Sequence, residues 1–258
     1  MKHSSRVLLL ITASVLISSP ALAKKKKNQD GVESPITESV RPSSVSKNLQ
    51  FSVSLGYVYN TYQSQFASGG QHSVMAKVSA IARSESFERW SLGFSGFSTV
   101  LPLSTIRYVS GAGVAEATSI YFLGLNLRVG YDTTWLPSPW SLQLATGWYV
   151  NTTFVKNNRF GYEWVNGPQL YPQWSYRLDE QRSIGGYLKF SPVMAGPSSV
   201  LSLTRNFEAA TGLNYLFPAS WLGNRTASIA VDFAHLSLQP DALKVFSNST
   251  SFNLGLQF

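Results

Sequence analysis

From residue 49 onward the chain alternates apolar and polar residues with a period of two, the pattern of β-strands that present one greasy and one polar face. Leu49, Phe51, Val53, Leu55, Tyr57 and Tyr59 share one face, against Gln50, Ser52, Ser54, Gly56 and Asn60. The same reading predicts strands around Val74–Ala80, Trp90–Phe94, Tyr121–Tyr131, Trp140–Val150, Trp174–Leu178, Ile184–Phe190, Leu201–Phe217, Ile229–Phe233 and Phe252–Phe258, which makes ten segments. Short connections near residues 83–89, 132–139, 179–182 and 218–224 alternate with longer ones near 60–72, 99–117, 192–199 and 237–249. A projecting hairpin from Trp140 to Leu178 is expected to turn at Asn157-Asn158.

Two architectures use alternating strands. A secreted soluble β-sandwich buries the apolar face between its sheets and wets the other with charges. A transmembrane barrel turns the apolar face to lipid and must close on itself, because no backbone donor or acceptor can be left unpaired in hydrocarbon. Here the polar face is mostly Ser, Gly, Asn, Gln and Ala, which suits a narrow lumen better than a solvated sheet. The expected fold is therefore all-β, a closed antiparallel transmembrane β-barrel of about ten strands over residues 49–258, with eight or twelve as alternative counts. The competing reading is a secreted sandwich that binds carbohydrate or protein. Ten strands leave about 21 residues for each strand and connection, enough for the ~9–11 that a tilted strand needs to cross a bilayer.

The aromatics support the membrane reading. Trp90, Tyr131, Trp135, Trp140, Tyr215, Trp221 and Phe258 gather at the short-turn end, and Tyr57, Tyr59, Tyr121 and Trp148 at the long-loop end, as two interfacial girdles would. Arg205 and His235 fall on the nominal outer face, tolerable only near a rim or after a shift of register.

Composition changes the picture at the amino-terminal end. The formal charge of +8 belongs largely to Lys2, Arg6 and the block Lys24–Lys27; from Leu49 on there are thirteen Lys and Arg against ten Asp and Glu. No phosphate-binding face is left, and nucleic acid is not an expected partner. Residues 1–23 have a basic start, an apolar run from Val7 to Ile17 and Ala21-Leu22-Ala23, and read as a signal peptide. Residues 24–48 read as a flexible basic periplasmic arm, whose lysine block reads first as a solvated charge run, the alternative being a site for anionic lipid or a cell-wall polymer. The absence of Cys excludes disulfides and thiolate-held metals, and no sequence motif calls for a cofactor.

With Phe252, Leu254 and Leu256 alternating to a final Phe258, residues 49–258 resemble the bacterial outer-membrane β-barrel superfamily. The resemblance implies an outer-membrane location in Gram-negative bacteria, lipid as the surrounding partner, and recognition of this last strand by the barrel-assembly machinery. It leaves open a structural, surface-interaction or porin-like narrow-pore role.

Chemistry could come from the charges predicted to face inward: Lys77, Arg128, Arg177, Lys189, Glu208 and Asp232. A turn centred near residue 220 would set Glu208 beside Asp232, a repelling pair that wants a cation or proton. The favoured alternative is a salt-bridged network with Lys77 or Lys189 that fills the lumen. Four inward cations against two anions would give a conducting pore mild anion preference. An enzyme is not expected. A barrel hydrolase would have to use His72, placed in the loop with Ser68-Gly69-Gly70-Gln71, or His235, and neither has an acid and nucleophile beside it in sequence. The basic and aromatic stretch Lys156–Trp164 reads first as an extension of the hairpin above the membrane; the alternative is that it and the other long loops meet an extracellular ligand.

Overall fold

The computed structural model describes residues 49–64, 67–83, 87–109, 115–155, 164–194, 206–223, 225–239 and 244–258. The leader, the basic arm, the Asn157-Asn158 turn, most of the Lys156–Trp164 stretch, and Leu201, Leu203 and Arg205 lie outside the described residues.

Ten strands form the wall: β1 (Leu49–Gln63), β2 (Ala67–Arg83), β3 (Trp90–Pro102), β6 (Ile120–Asp132), β7 (Trp140–Val155), β8 (Val165–Arg177), β9 (Ser183–Pro192), β10 (Phe207–Ala219), β11 (Arg225–Leu238) and β12 (Val245–Gln257). A short hairpin, β4 (Ile106–Val109) and β5 (Ala115–Thr118), lies in the β3–β6 connection, where β4 pairs with the start of β2. Every wall pairing is antiparallel between chain neighbours, and β1 pairs both β2 and β12, so the sheet is a closed ring. The seam runs from Gln63↔Phe246 to Ser52↔Gln257 and is finished by the Phe258 N–H donating to the Phe51 carbonyl at 2.8 Å. A closed ring has no sheet edges, which excludes the two-layered sandwich.

The faces settle which way the side chains point. On β12 Phe252 and Leu254 are 58% and 66% exposed, while the intervening Asn253 and Ser251 are 4% and 3% exposed. The apolar face is outside and the small polar face inside, the arrangement that hydrocarbon around the cylinder stabilises. Rings flank this belt at the short-turn end: Trp90 lies 5.1 Å from Tyr131 and Trp140 lies 4.7 Å from Tyr176, centroid to centroid.

Two local expectations need correction, and one strand proves longer than expected. The segment 60–72 is no long loop: β1 and β2 run on past the lipid belt and are joined through residues 64–66, so His72 lies within β2. The β7–β8 hairpin is strand from Trp140 to Val155 and from Val165 to Arg177, with Pro168 and Pro172 inside β8. The turn between β10 and β11 is a 3-10 turn, Ser220–Leu222, ended by Gly223 at φ +74°, a left-handed conformation that suits glycine. It sets Glu208 opposite Leu236 and Asp232 opposite Gly212. The two carboxylates are therefore not cross-strand neighbours, because the turn is centred two residues later than residue 220.

Candidate functional site

The inward face of the wall changes character along the barrel axis. At the long-loop end Tyr62, Ala67, Ile106, Ile120, Tyr149, Val165, Val193, Leu236, Leu238 and Val245 form one buried apolar cluster. They come from strands all around the ring and from the β4 hairpin, so this end of the lumen is filled by side chains. Gln71 ties the hairpin's exit to the wall: its Nε2 donates to the Ile120 carbonyl at 2.7 Å, and its Oε1 accepts the Ile120 N–H at 2.8 Å.

Next to this plug lie the charges. Lys189 and Glu208 form an ion pair at 2.7 Å with side chains only 7% and 8% exposed. Asn151 donates its Nδ2 to the other Glu208 oxygen at 2.6 Å, and the Lys189 ammonium lies 4.8 Å from the Tyr149 ring centre, under the apolar cluster. Further along, Lys77 pairs with Asp232, whose carboxylate also accepts from Tyr187 Oη at 2.9 Å, Asn253 Nδ2 at 2.8 Å and Ser251 Oγ at 3.2 Å. Gly212 is opposite Asp232 on β10, and a Cβ there would come within 2.4 Å of both Asp232 Oδ1 and Tyr187 Cε1. The missing side chain is what lets the tyrosine and the carboxylate meet.

Of the six charges expected inside, the structure thus joins four into two separate lysine–carboxylate pairs. Arg128 has no carboxylate partner among the described residues; its guanidinium lies 4.1 Å above the Tyr171 ring, which in turn stacks on Tyr187 at 4.8 Å. Arg177 is exposed, at the short-turn end of β8. Sequence reasoning missed Tyr171, Tyr187 and Asn151 as lumen residues. All three share the inward parity of the charges, which was the signal for them.

A cavity of about 520 Å³ runs from the ion pairs toward the short-turn end, where Arg83, Asp132, Ser141 and Ser183 border it. Arg83 and Asp132 approach to 3.6 Å across that end. The cavity walls mix serines, amides and glycines with apolar and aromatic side chains such as Met75, Phe97, Tyr171 and Leu213, and no group of three or more His, Asp or Glu side chains able to hold a metal occurs among the described residues.

His72 and His235 both lie on the outside of the barrel. His72 lies 4.8 Å from the tilted Tyr59 ring and is stacked on and hydrogen bonded to Tyr57, on the outward face of β1 and β2. His235 meets Asn248 Oδ1 at 2.7 Å, and Asn248 Nδ2 donates to Thr61 at 3.3 Å. No carboxylate is among the hydrogen-bond partners of either ring in the described residues, so the geometry offers no support to a hydrolase built on His72 or His235.

No protein-family model matches the chain, and no curated protein matches it significantly. Among solved structures it is similar to the outer membrane protease OmpT from Escherichia coli, at 12% identity and a TM-score of 0.55, over 82% of this chain and 96% of that one. It also aligns with the translocator domain of autotransporter NalP from Neisseria meningitidis at 11% identity and a TM-score of 0.46, over 81% of this chain and 88% of that one. Neisserial surface protein A aligns at 11% identity and a TM-score of 0.38, covering 81% and 97%. Likeness at such identity is a likeness of fold, and together with the closed ring and its outward apolar belt it makes this chain a ten-stranded β-barrel of the bacterial outer-membrane type.

Proposed function

We propose that this barrel is a closed, non-conducting outer-membrane protein that serves a structural or surface-interaction role, with no catalytic chemistry of its own. The observation that carries the reading is the apolar cluster around Tyr149, which is fully buried inside the long-loop end together with Ile120, Val165 and Val245. An ion crossing there would have to shed its hydration among groups that offer nothing in return. The paired lysines and carboxylates beside the cluster rigidify the interior instead of lining a path.

In this reading the leader exports the chain, the arm remains periplasmic, and the Phe252, Leu254, Leu256, Phe258 strand is what the assembly machinery recognises. The extended β1–β2 and β7–β8 hairpins and the β4 hairpin carry the surface that meets an extracellular ligand. Planar-bilayer recording of the refolded barrel tests the closure. Flat traces across ±100 mV in roughly molar salt are expected, and regular open-channel steps would overturn the proposal. Trimming residues 156–163 should remove ligand or cell binding without changing the heat-shifted migration of the folded barrel, whereas binding that survives the trim would place the ligand surface elsewhere.

A further inference from the structure

We propose that the short-turn half of the lumen is a binding site for a small oxyanion, a carboxylate or a phosphate, with Arg128 as its principal contact. The first support is charge balance. Lys77, Lys189 and Arg83 each have a carboxylate partner inside the barrel, but no carboxylate lies within ion-pair distance of Arg128 among the described residues. Its partners among the described residues are neutral: the Tyr171 ring beneath it and Ser95 Oγ, 3.4 Å from Nη2. A tyrosine face orients a guanidinium and attracts it without neutralising it. An uncompensated cation between low-dielectric walls therefore holds a field that draws a counter-anion into the cavity.

The second support is space. In the register of the wall Arg128 is flanked by Gly93 on β3 and Gly147 on β7, so no side chain stands beside it on either neighbouring strand. It opens onto the cavity of about 520 Å³, inside the roughly 300–1,000 Å³ range of small-molecule sites. A guanidinium carries five N–H donors in a planar fork, and a fork held flat on a ring matches two oxygens of a carboxylate or phosphate. The third support is an unused polar group. Asn126, two residues away on the same inward face, borders the cavity with its buried Oδ1 lacking a hydrogen-bond partner. Its side chain adds a polar group to the wall beside the guanidinium.

Isothermal titration of the folded barrel in detergent at low ionic strength tests the site, with inorganic phosphate and gluconate as probes and glucose as the neutral control. Both anions should bind, and glucose should not. Arg128→Gln should weaken both anions roughly tenfold or more, the loss expected when a charge-assisted hydrogen bond is removed. Arg128→Lys, which keeps the charge but not the fork, should fall between, and it carries the test if the glutamine variant does not fold. Failure of the wild-type barrel to bind either anion, or undiminished binding by folded variants, would overturn the assignment.

Discussion

Replacing Lys189 by Met asks how dry the deepest charges are. Methionine keeps most of the volume and the stem, so the change removes chiefly the ammonium group. Glu208, 8% exposed, is then left with a single donor, Asn151 at 2.6 Å, and no counter-charge. Breaking a buried pair from one side costs about 3–5 kcal/mol. The same substitution at Lys77 is a milder experiment. Lys77 and Asp232 are 29% and 15% exposed, and after Lys77→Met the carboxylate still accepts from Tyr187, Asn253 and Ser251. Its loss should be closer to 1–3 kcal/mol, the range for a charged group that loses one hydrogen bond among several. Replacing both partners, Lys189→Met with Glu208→Leu, should restore most of the stability, because no buried charge is left over. Equilibrium urea unfolding into and out of lipid vesicles, followed by the tryptophan signal and by gel migration, reads all three. Should Lys77→Met prove as damaging as Lys189→Met, or should Lys189→Met cost under about 1 kcal/mol, Glu208 is hydrated and the plug above it is not tight.

Gly212→Ala should destabilise the barrel by roughly 1–3 kcal/mol, since its new methyl meets Asp232 and Tyr187 at 2.4 Å in a packed interior; a neutral result in the same urea assay would show that Tyr187 swings away freely. In the β8–β9 turn the Asp179 carboxyl is held below the ordinary value of 3.8, first by the Gln181 N–H and then by the side chain and N–H of Arg182. A carboxylate depressed in the folded state stabilises the turn above its unfolded value and loses that contribution as pH falls through the folded one. Amide exchange at Gln181 and Arg182 should therefore lose protection only below pH 3.8, and Asp179→Asn should flatten that acid limb; protection that vanishes at neutral pH would contradict the capping role.

The ring, the face polarity and the aromatic girdle at the short-turn end were legible because lipid on one side and small polar packing on the other impose a strict period of two. Where that constraint ends, legibility ends. The Lys189–Glu208 and Lys77–Asp232 pairs could be anticipated as a network but not matched, since partners are fixed by register, and register depends on whether a turn such as Ser220–Gly223 is centred on residue 220 or two positions later. Arg128 could be placed inside, but its isolation could not be read, because it follows from where the other cations find carboxylates. His72 was misplaced for a different reason: Ser68, Gly69 and Gly70 have the composition of a loop, while the Ile106 hairpin and β1 hold this segment as strand from either side.

That last error has a general cause in the physics of the lipid boundary. Within the bilayer the outward residue must be apolar and the inward one can be small and polar; beyond the headgroups the outward residue meets water, and the inward one can join a dry core. The alternation therefore inverts where a strand leaves the membrane. On β1 the outward series Leu55, Tyr57, Tyr59 gives way to Thr61, as the inward series Ser52, Ser54 gives way to Val58 and Tyr62. On β11 outward Ile229, Val231 and Phe233 give way to His235, as inward Asp232 and Ala234 give way to Leu236 and Leu238. Thr61, Asn248 and His235 stand in one register row across β1, β12 and β11 and are linked by hydrogen bonds, so one ring of polar groups marks the level on three adjacent strands. Read by period alone, such an inversion looks like the end of a strand; read against burial, it marks the height at which the lipid stops and the plug begins.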